Sequence, residues 1–289
     1  MTALIHAPEF YSLSAQYTKL VDFKSSYPEI FYPNREIYTV YGCFPNMIWN
    51  GGRAVMGNQI CIDEAESLID YYVNQLHIIP SFTMTNLLLE EHHCYDTFCN
   101  EMMNIAVKYD CPIMVANTVL ETYLKKEYPT LKLIRSVCAA SKTGIAYDIS
   151  DNYFLSVLDK NYNNNENVIN NIPLDKREKI ELLCNDRCHS FCSMYTAHHM
   201  HDCEIQLLKR PINSPISCIH PTVFPFYAST KANGYISPTD IDMFLNKGFK
   251  HFKIVGRDGF FSAISSLTQY LILPDYQEDM KNNLIGNLI

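Results

Sequence analysis

The sequence predicts an α/β fold, a single-domain (β/α)8 barrel of the TIM type, on three observations. Short apolar runs alternate with stretches of helical spacing along most of the chain. The runs are apolar nearly throughout, as strands buried on both faces of a parallel sheet must be. Seven or eight such units suit a chain of 289 residues. A doubly wound open sheet is the alternative, but no dinucleotide-type glycine fingerprint follows the first run and no Walker-type phosphate loop occurs.

Taken in order, the expected strands are EIYTVYG (36–42), IIPSFTMTN (78–86), PIMVAN (112–117), LKLIRSV (131–137), YFLSVLD (153–159), KIELLCN (179–185, the sixth) and KHFKIVG (250–256). Between them IDEAESLIDYYVNQL, YDTFCNEMMNIAVKY and VLETYLKKEYP repeat apolar residues every three or four positions, which is helical spacing. Residues 1–35 read as an irregular or helical lead-in and 36–289 as the barrel. The Asn-rich stretch NYNNNENVINN (161–171) reads as a solvated loop or a frayed helix start. The clearest local signal is YISPTDIDMFLNKGFKHFKIVGRDG. Ser237 caps a helix that starts at Pro238, Asp240 complements its dipole, and Gly248 ends it in the left-handed region.

Composition narrows the classes. The chain is 47% apolar, as a folded protein is, and lacks an uninterrupted apolar run long enough for a membrane helix or a signal peptide. A cytoplasmic protein without a membrane partner is expected. A net charge of -8 gives no general attraction for a phosphate backbone, so nucleic acid is not favoured. Eleven cysteines, an odd number in a long chain, point to reduced thiols or metal ligands and away from a disulfide framework.

The densest chemistry lies in ELLCNDRCHSFCSMYTAHHMHDC (181–203), with four cysteines and four histidines. The spacing Cys184-x3-Cys188-x3-Cys192-x10-Cys203-x14-Cys218 follows a predicted strand, on the face where barrels place their sites. Irregularly spaced thiolates suit an iron-sulfur cluster; zinc and buried unligated thiols are the alternatives. Of His198, His199 and His201, at most one is expected to meet a metal or to act as an acid or base, because adjacent side chains diverge. Cys61, Cys94, Cys99 and Cys111 read as small core residues, whereas Cys43 and Cys138 follow strands on the presumed catalytic face and could reach toward the cluster.

Polar strand ends converge on that mouth. YGCFPNMIWNGGR (41–53) offers Asn50, Arg53 and a Gly-Gly turn that permits close backbone approach. Asn86 and Asn117 end strands, and Lys253 lies in the last one, where it must pair or face a wet interior. Arg257, before a further helical run, is either an anion clamp or one half of a salt bridge.

ELLCNDRCHSFCSMYTAHH together with YISPTDIDMFLNKGFKHFKIVGRD resembles the motif pair of the collagenase-like peptidase family U32, and YGCFPNMIWNGGR is similar to that family's glycine-rich loop. The resemblance spans residues 36–260 and implies a (β/α)8-like barrel. By analogy with relatives in ubiquinone and RNA hydroxylation, it also implies a 4Fe-4S cluster. Cys188 and Cys192 match the CxxxC pair, Cys203 and Cys218 are the candidates for the later ligands, and Cys43 and Cys184 compete for the fourth position. Longer peptidase-like members carry a further C-terminal domain and a different cysteine spacing. Neither a zinc-protease HExxH nor a serine elbow occurs, and no Cys/His pairing stands out beyond the cluster, so proteolysis is not expected.

The expectation is therefore an iron-sulfur enzyme performing a hydroxylation-type redox modification of a small or anionic substrate, with an electron donor. Two other classes stand beside it. One is a non-redox binding or assembly subunit with structural zinc or free thiols, paired with a second family member as a heterodimer. The other is a metal-dependent hydrolase or peptidase using a water near His189 or Asp186.

Overall fold

The computed structural model describes residues 1–186, 188–216, 234–256 and 259–286, with Ser141 as backbone alone. Eight strands, all parallel, form a closed barrel in chain order: β1 (Ala3–Pro8), β2 (Arg35–Gly42), β3 (Ile79–Met84), β4 (Ile113–Val115), β5 (Leu133–Arg135), β6 (Leu155–Val157), β7 (Ile180–Leu183) and β8 (His251–Lys253). Closure runs through β8 against β1, with Leu4 opposite His251 and His6 opposite Lys253. The helices are α1 (Ser14–Ser26), α2 (Ile62–Tyr71), α3 (Thr97–Lys108), α4 (Thr118–Glu127), α5 (Val137–Thr143), α6 (Glu166–Asn171), α7 (Tyr195–Gln206), α8 (Ile241–Asn246), α9 (Phe260–Leu271) and α10 (Gln277–Ile285).

The lead-in reading of residues 1–35 is corrected. That segment holds β1 and α1, a complete β/α unit, so the barrel begins at residue 3 and KIELL is its seventh strand. The run ALIHAP is short and interrupted by a histidine and a proline, which hides its strand character. In the barrel the interruption has a reason: Ala3, Ile5 and Ala7 pack in the helix-facing core, while His6 between them turns to the interior.

Local signals hold where capping chemistry decides them. Ser237 accepts from Asp240 N at 3.2 Å, the Asp240 carboxylate answers at Ser237 N, and Gly248 sits at φ +92. The Asn-rich stretch is less solvated than expected. Asn165 caps α6, and the buried Asn163 amide donates to the carbonyls of Leu183 and Gly234, both at 2.8 Å.

Among the described residues two apolar clusters form the core. The larger joins the outer strand faces to the helices and includes Trp49, whose indole N–H donates to His93 O at 2.7 Å. The smaller plugs the upper barrel with Met114, Leu155, Val157, Leu183 and Val255, joined by Cys138 and Cys203 from α5 and α7. The second cluster is the floor on which the mouth is built.

Candidate active site at the barrel mouth

A cavity of about 100 Å3 opens at the C-terminal ends of the strands. Asn50, Gly51, Gly52, Arg53, Thr83, Thr85, Cys43, Cys138 and Lys253 are on its wall. All but Cys138, which lies in the first turn of α5, come from a strand end or the loop after it, which is where a barrel can vary side chains without disturbing its core.

Arg53 pins three loops. Its guanidinium donates to Gly256 O at 2.7 Å and pairs with the Glu9 carboxylate, which also accepts from Ser12 Oγ at 2.9 Å. Glu9 itself lies in the left-handed region at φ +72, an uncommon conformation for a side-chain-bearing residue. Asn50 is buried, accepts from Thr83 Oγ1 at 3.0 Å and donates to Arg53 O at 2.6 Å. The Gly-Gly turn is sterically required at its first residue: a Cβ on Gly51 would lie 2.6 Å from both Asn86 Cα and Thr85 O.

Lys253 connects the cavity to a polar network inside the barrel. Its ammonium lies 3.5 Å from Glu181 Oε1, 3.1 Å from Met114 Sδ and 3.8 Å from the centre of the Tyr41 ring. The other Glu181 oxygen is 3.3 Å from His6 Nδ1, and His6 bonds Thr39 at 2.7 Å and His251 at 2.9 Å. Glu181 is wholly buried, so its charge depends on these neighbours. Burial, then the Lys253 charge, pushes His6 down to about 3; burial, then His6, pushes His251 down to about 3. Both imidazoles are neutral at physiological pH. Lys253 was the visible member of this network; the glutamate inside KIELL and the histidine inside ALIHAP were its unread signals.

The remaining predicted residues fall elsewhere. Asn86 is fully buried and donates to Ile48 O at 2.9 Å, and Asn117 caps α4 while donating to the carbonyls of Leu87 and Leu89 at 3.1 Å. Neither amide lines the cavity. Asp186 is buried, accepts from Cys188 N at 3.3 Å and lies 4.0 Å from the buried Lys160 ammonium, which also donates to the carbonyls of Cys188 and His189. Sequence reading missed Lys160, the anchor of the β7–α7 loop. Arg257 and Cys218 lie outside the described residues.

The cysteines divide into separate places. Cys188 and Cys192 share the β7–α7 loop and are partly exposed. Cys203 is buried in α7, accepting from Leu87 N at 3.3 Å, and burial pushes its thiol up to about 11. Cys184 packs in the helix-facing core, and Cys43 lines the cavity with its thiol pushed up to about 12 by burial, against a smaller opposing hydrogen bond from Thr83. Among the described residues no group of three or more His, Cys, Asp or Glu side chains is arranged to hold a metal ion. The donor set proposed from the sequence is thus not assembled by its described members.

One pairing could not be read from the sequence. Cys138 Sγ lies 2.9 Å from His199 Nδ1, both residues buried, and the imidazole stands 4.5 Å from the Tyr195 ring. The residues are 61 positions apart and meet only because α5 and α7 pack together, so sequence spacing held no sign of the contact.

Fold and site together define a (β/α)8 barrel with a cavity at its C-terminal mouth whose largely apolar wall carries a few polar side chains. The chain is similar in structure to the U32 peptidase Mk0906, at 13% sequence identity and a TM-score of 0.49, over 90% of this chain and 94% of that one. At those values the likeness carries no argument about chemistry. No family model matches the chain, and no curated protein matches it. Among the described residues no helix is long and apolar enough to cross a membrane.

Proposed function

We propose that the chain is an enzyme acting on a small polar or anionic molecule held in the mouth cavity. The observation that carries this reading is the convergence of Lys253, Arg53, Asn50, Thr83 and Thr85 on one small cavity at the end of the barrel where barrel enzymes place their sites. The two cations sit beside carboxylates, Glu181 and Glu9, so a bound anion is received by balanced ion pairs and the site stays near neutral when empty. The test is a thermal-shift series with pyruvate, malonate and inorganic phosphate. Wild type is expected to be stabilised by at least one of them. Lys253→Met combined with Glu181→Gln, which removes the buried pair together, is expected to bind at least about tenfold more weakly, about 1.4 kcal/mol. Equal binding by both proteins overturns the reading.

A second reading, a hydroxylation-type redox modification on an iron-sulfur cluster, is supported by Cys188 and Cys192 sharing one loop at the mouth face. It needs donors beyond the described residues, Cys218 first among them, and an external electron donor. Iron, zinc and acid-labile sulfide assays on protein purified without oxygen test it. About four iron and four sulfide per chain support a 4Fe-4S cluster, and one zinc or no metal removes it.

A further inference from the structure

We propose that Cys138 is a nucleophilic thiol and His199 its proton acceptor, forming a reaction centre in the cavity wall for small activated acyl compounds, esters or thioesters. The inference rests on the mouth cavity being the substrate site and adds a chemistry to it. A thiol placed 2.9 Å from an imidazole nitrogen is within reach of direct proton transfer, and Cys138 also faces the cavity. The pair is roofed by the Gly-Gly turn. A Cβ on Gly52, which holds φ +74, would stand 3.5 Å from His199 Nδ1 and 3.6 Å from Cys138 Sγ, so the loop backbone closes over both reacting atoms.

What sets Cys138 apart from the neighbouring thiols is its contact with His199. Burial pushes Cys43 up to about 12 and Cys203 up to about 11, which keeps both protonated at neutral pH. Cys138 is the cavity-lining thiol for which a hydrogen bond to a histidine is seen among the described residues. Lys253, ion-paired with Glu181, lies on the same wall as the nearest cation to an oxygen that becomes anionic.

The step balances without an oxidant or a reductant. The Cys138 proton passes to His199 Nδ1, and the thiolate lone pair forms a bond to the acyl carbon while the carbonyl π pair moves to oxygen. Collapse of that oxyanion breaks the bond to the alkoxide or thiolate leaving group, which takes the proton from His199. Water then adds to the enzyme thioester, giving its proton to His199, and the carbon–sulfur bond breaks as Cys138 is reprotonated. The products are a carboxylic acid and an alcohol or thiol.

The experiment labels the intact protein with a limiting amount of iodoacetamide at pH 7 and measures each cysteine by peptide mass spectrometry, with the exposed Cys61 as the internal reference. Cys138 is expected to react at least about tenfold faster than Cys61, since the thiolate is the reacting species. His199→Gln is expected to remove that advantage and leave Cys61 unchanged. A second probe, p-nitrophenyl acetate, is expected to leave an acetyl group on Cys138 of wild type. Cys138 labelling no faster than Cys61 in wild type overturns the proposal, and this comparison needs no variant to fold. Undiminished labelling of Cys138 in a His199→Gln protein with wild-type melting also overturns it. An inert Cys138 alongside intact anion binding removes this inference alone, whereas a reactive Cys138 without anion binding removes the small-anion reading alone.

Discussion

Gly51 shows how one residue shapes the mouth. Any side chain there meets backbone atoms of Thr85 and Asn86 at 2.6 Å, and backbone cannot rotate away as a long side chain can. Gly51→Ala is expected to cost about 2 kcal/mol in urea unfolding, in the range of overpacking substitutions. An unchanged midpoint would mean that the β2–α2 loop moves freely off β3. Lys253 could be read as a site residue because it sits at a strand end that the periodicity located, and Asn50 and Arg53 because they flank a Gly-Gly turn in the loop after a strand. Asn86 and Asn117 occupy equivalent positions but satisfy buried carbonyls and a helix N-terminus. Position along a strand does not say whether an amide is needed by the backbone or left for a ligand.

At the scale of elements, the β7–α7 loop depends on a residue from the loop after β6. Lys160 is buried with its ammonium on two loop carbonyls and near Asp186. Removing it takes a cation from beside a buried carboxylate and a donor from those carbonyls, so Lys160→Met is expected to destabilise by about 3 kcal/mol and to speed proteolytic cleavage around residues 188–192. Cleavage at the wild-type rate with unchanged stability would contradict this role. Seven of the eight strands were legible as apolar runs. The first was not, because its central position holds an inward histidine whose partners lie on β2, β7 and β8. The Cys138–His199 contact was hidden for a related reason: it depends on how α5 meets α7, which periodicity does not encode.

At the scale of the whole molecule, the barrel interior is held by a charged network as well as by apolar packing. His6 and His251 are near 3 when folded, against an ordinary value of 6.5. Between those values the unfolded chain binds more protons than the folded one, so stability rises with pH across the window and is lost as pH falls from 6.5 toward 3. Each histidine contributes a slope of up to about 1.4 kcal/mol per pH unit there. Urea midpoints are expected to fall between pH 7 and pH 5 in wild type and to fall less in His251→Gln. Equal pH slopes in the two proteins would show that the network does not couple to folding.

The central claim is that ligands bind at the mouth cavity, and Met114 reports on it directly, since its sulfur touches Lys253 and its side chain lines the wall. The measurement is a carbon-13 methyl spectrum of methionine-labelled protein, with Met114 assigned through Met114→Leu, during titration with the anion that gives the largest thermal shift. The account predicts that the Met114 methyl moves saturably while that of Met280, on the buried face of α10, stays fixed. Saturable binding that leaves Met114 unmoved would place the site elsewhere and contradict it.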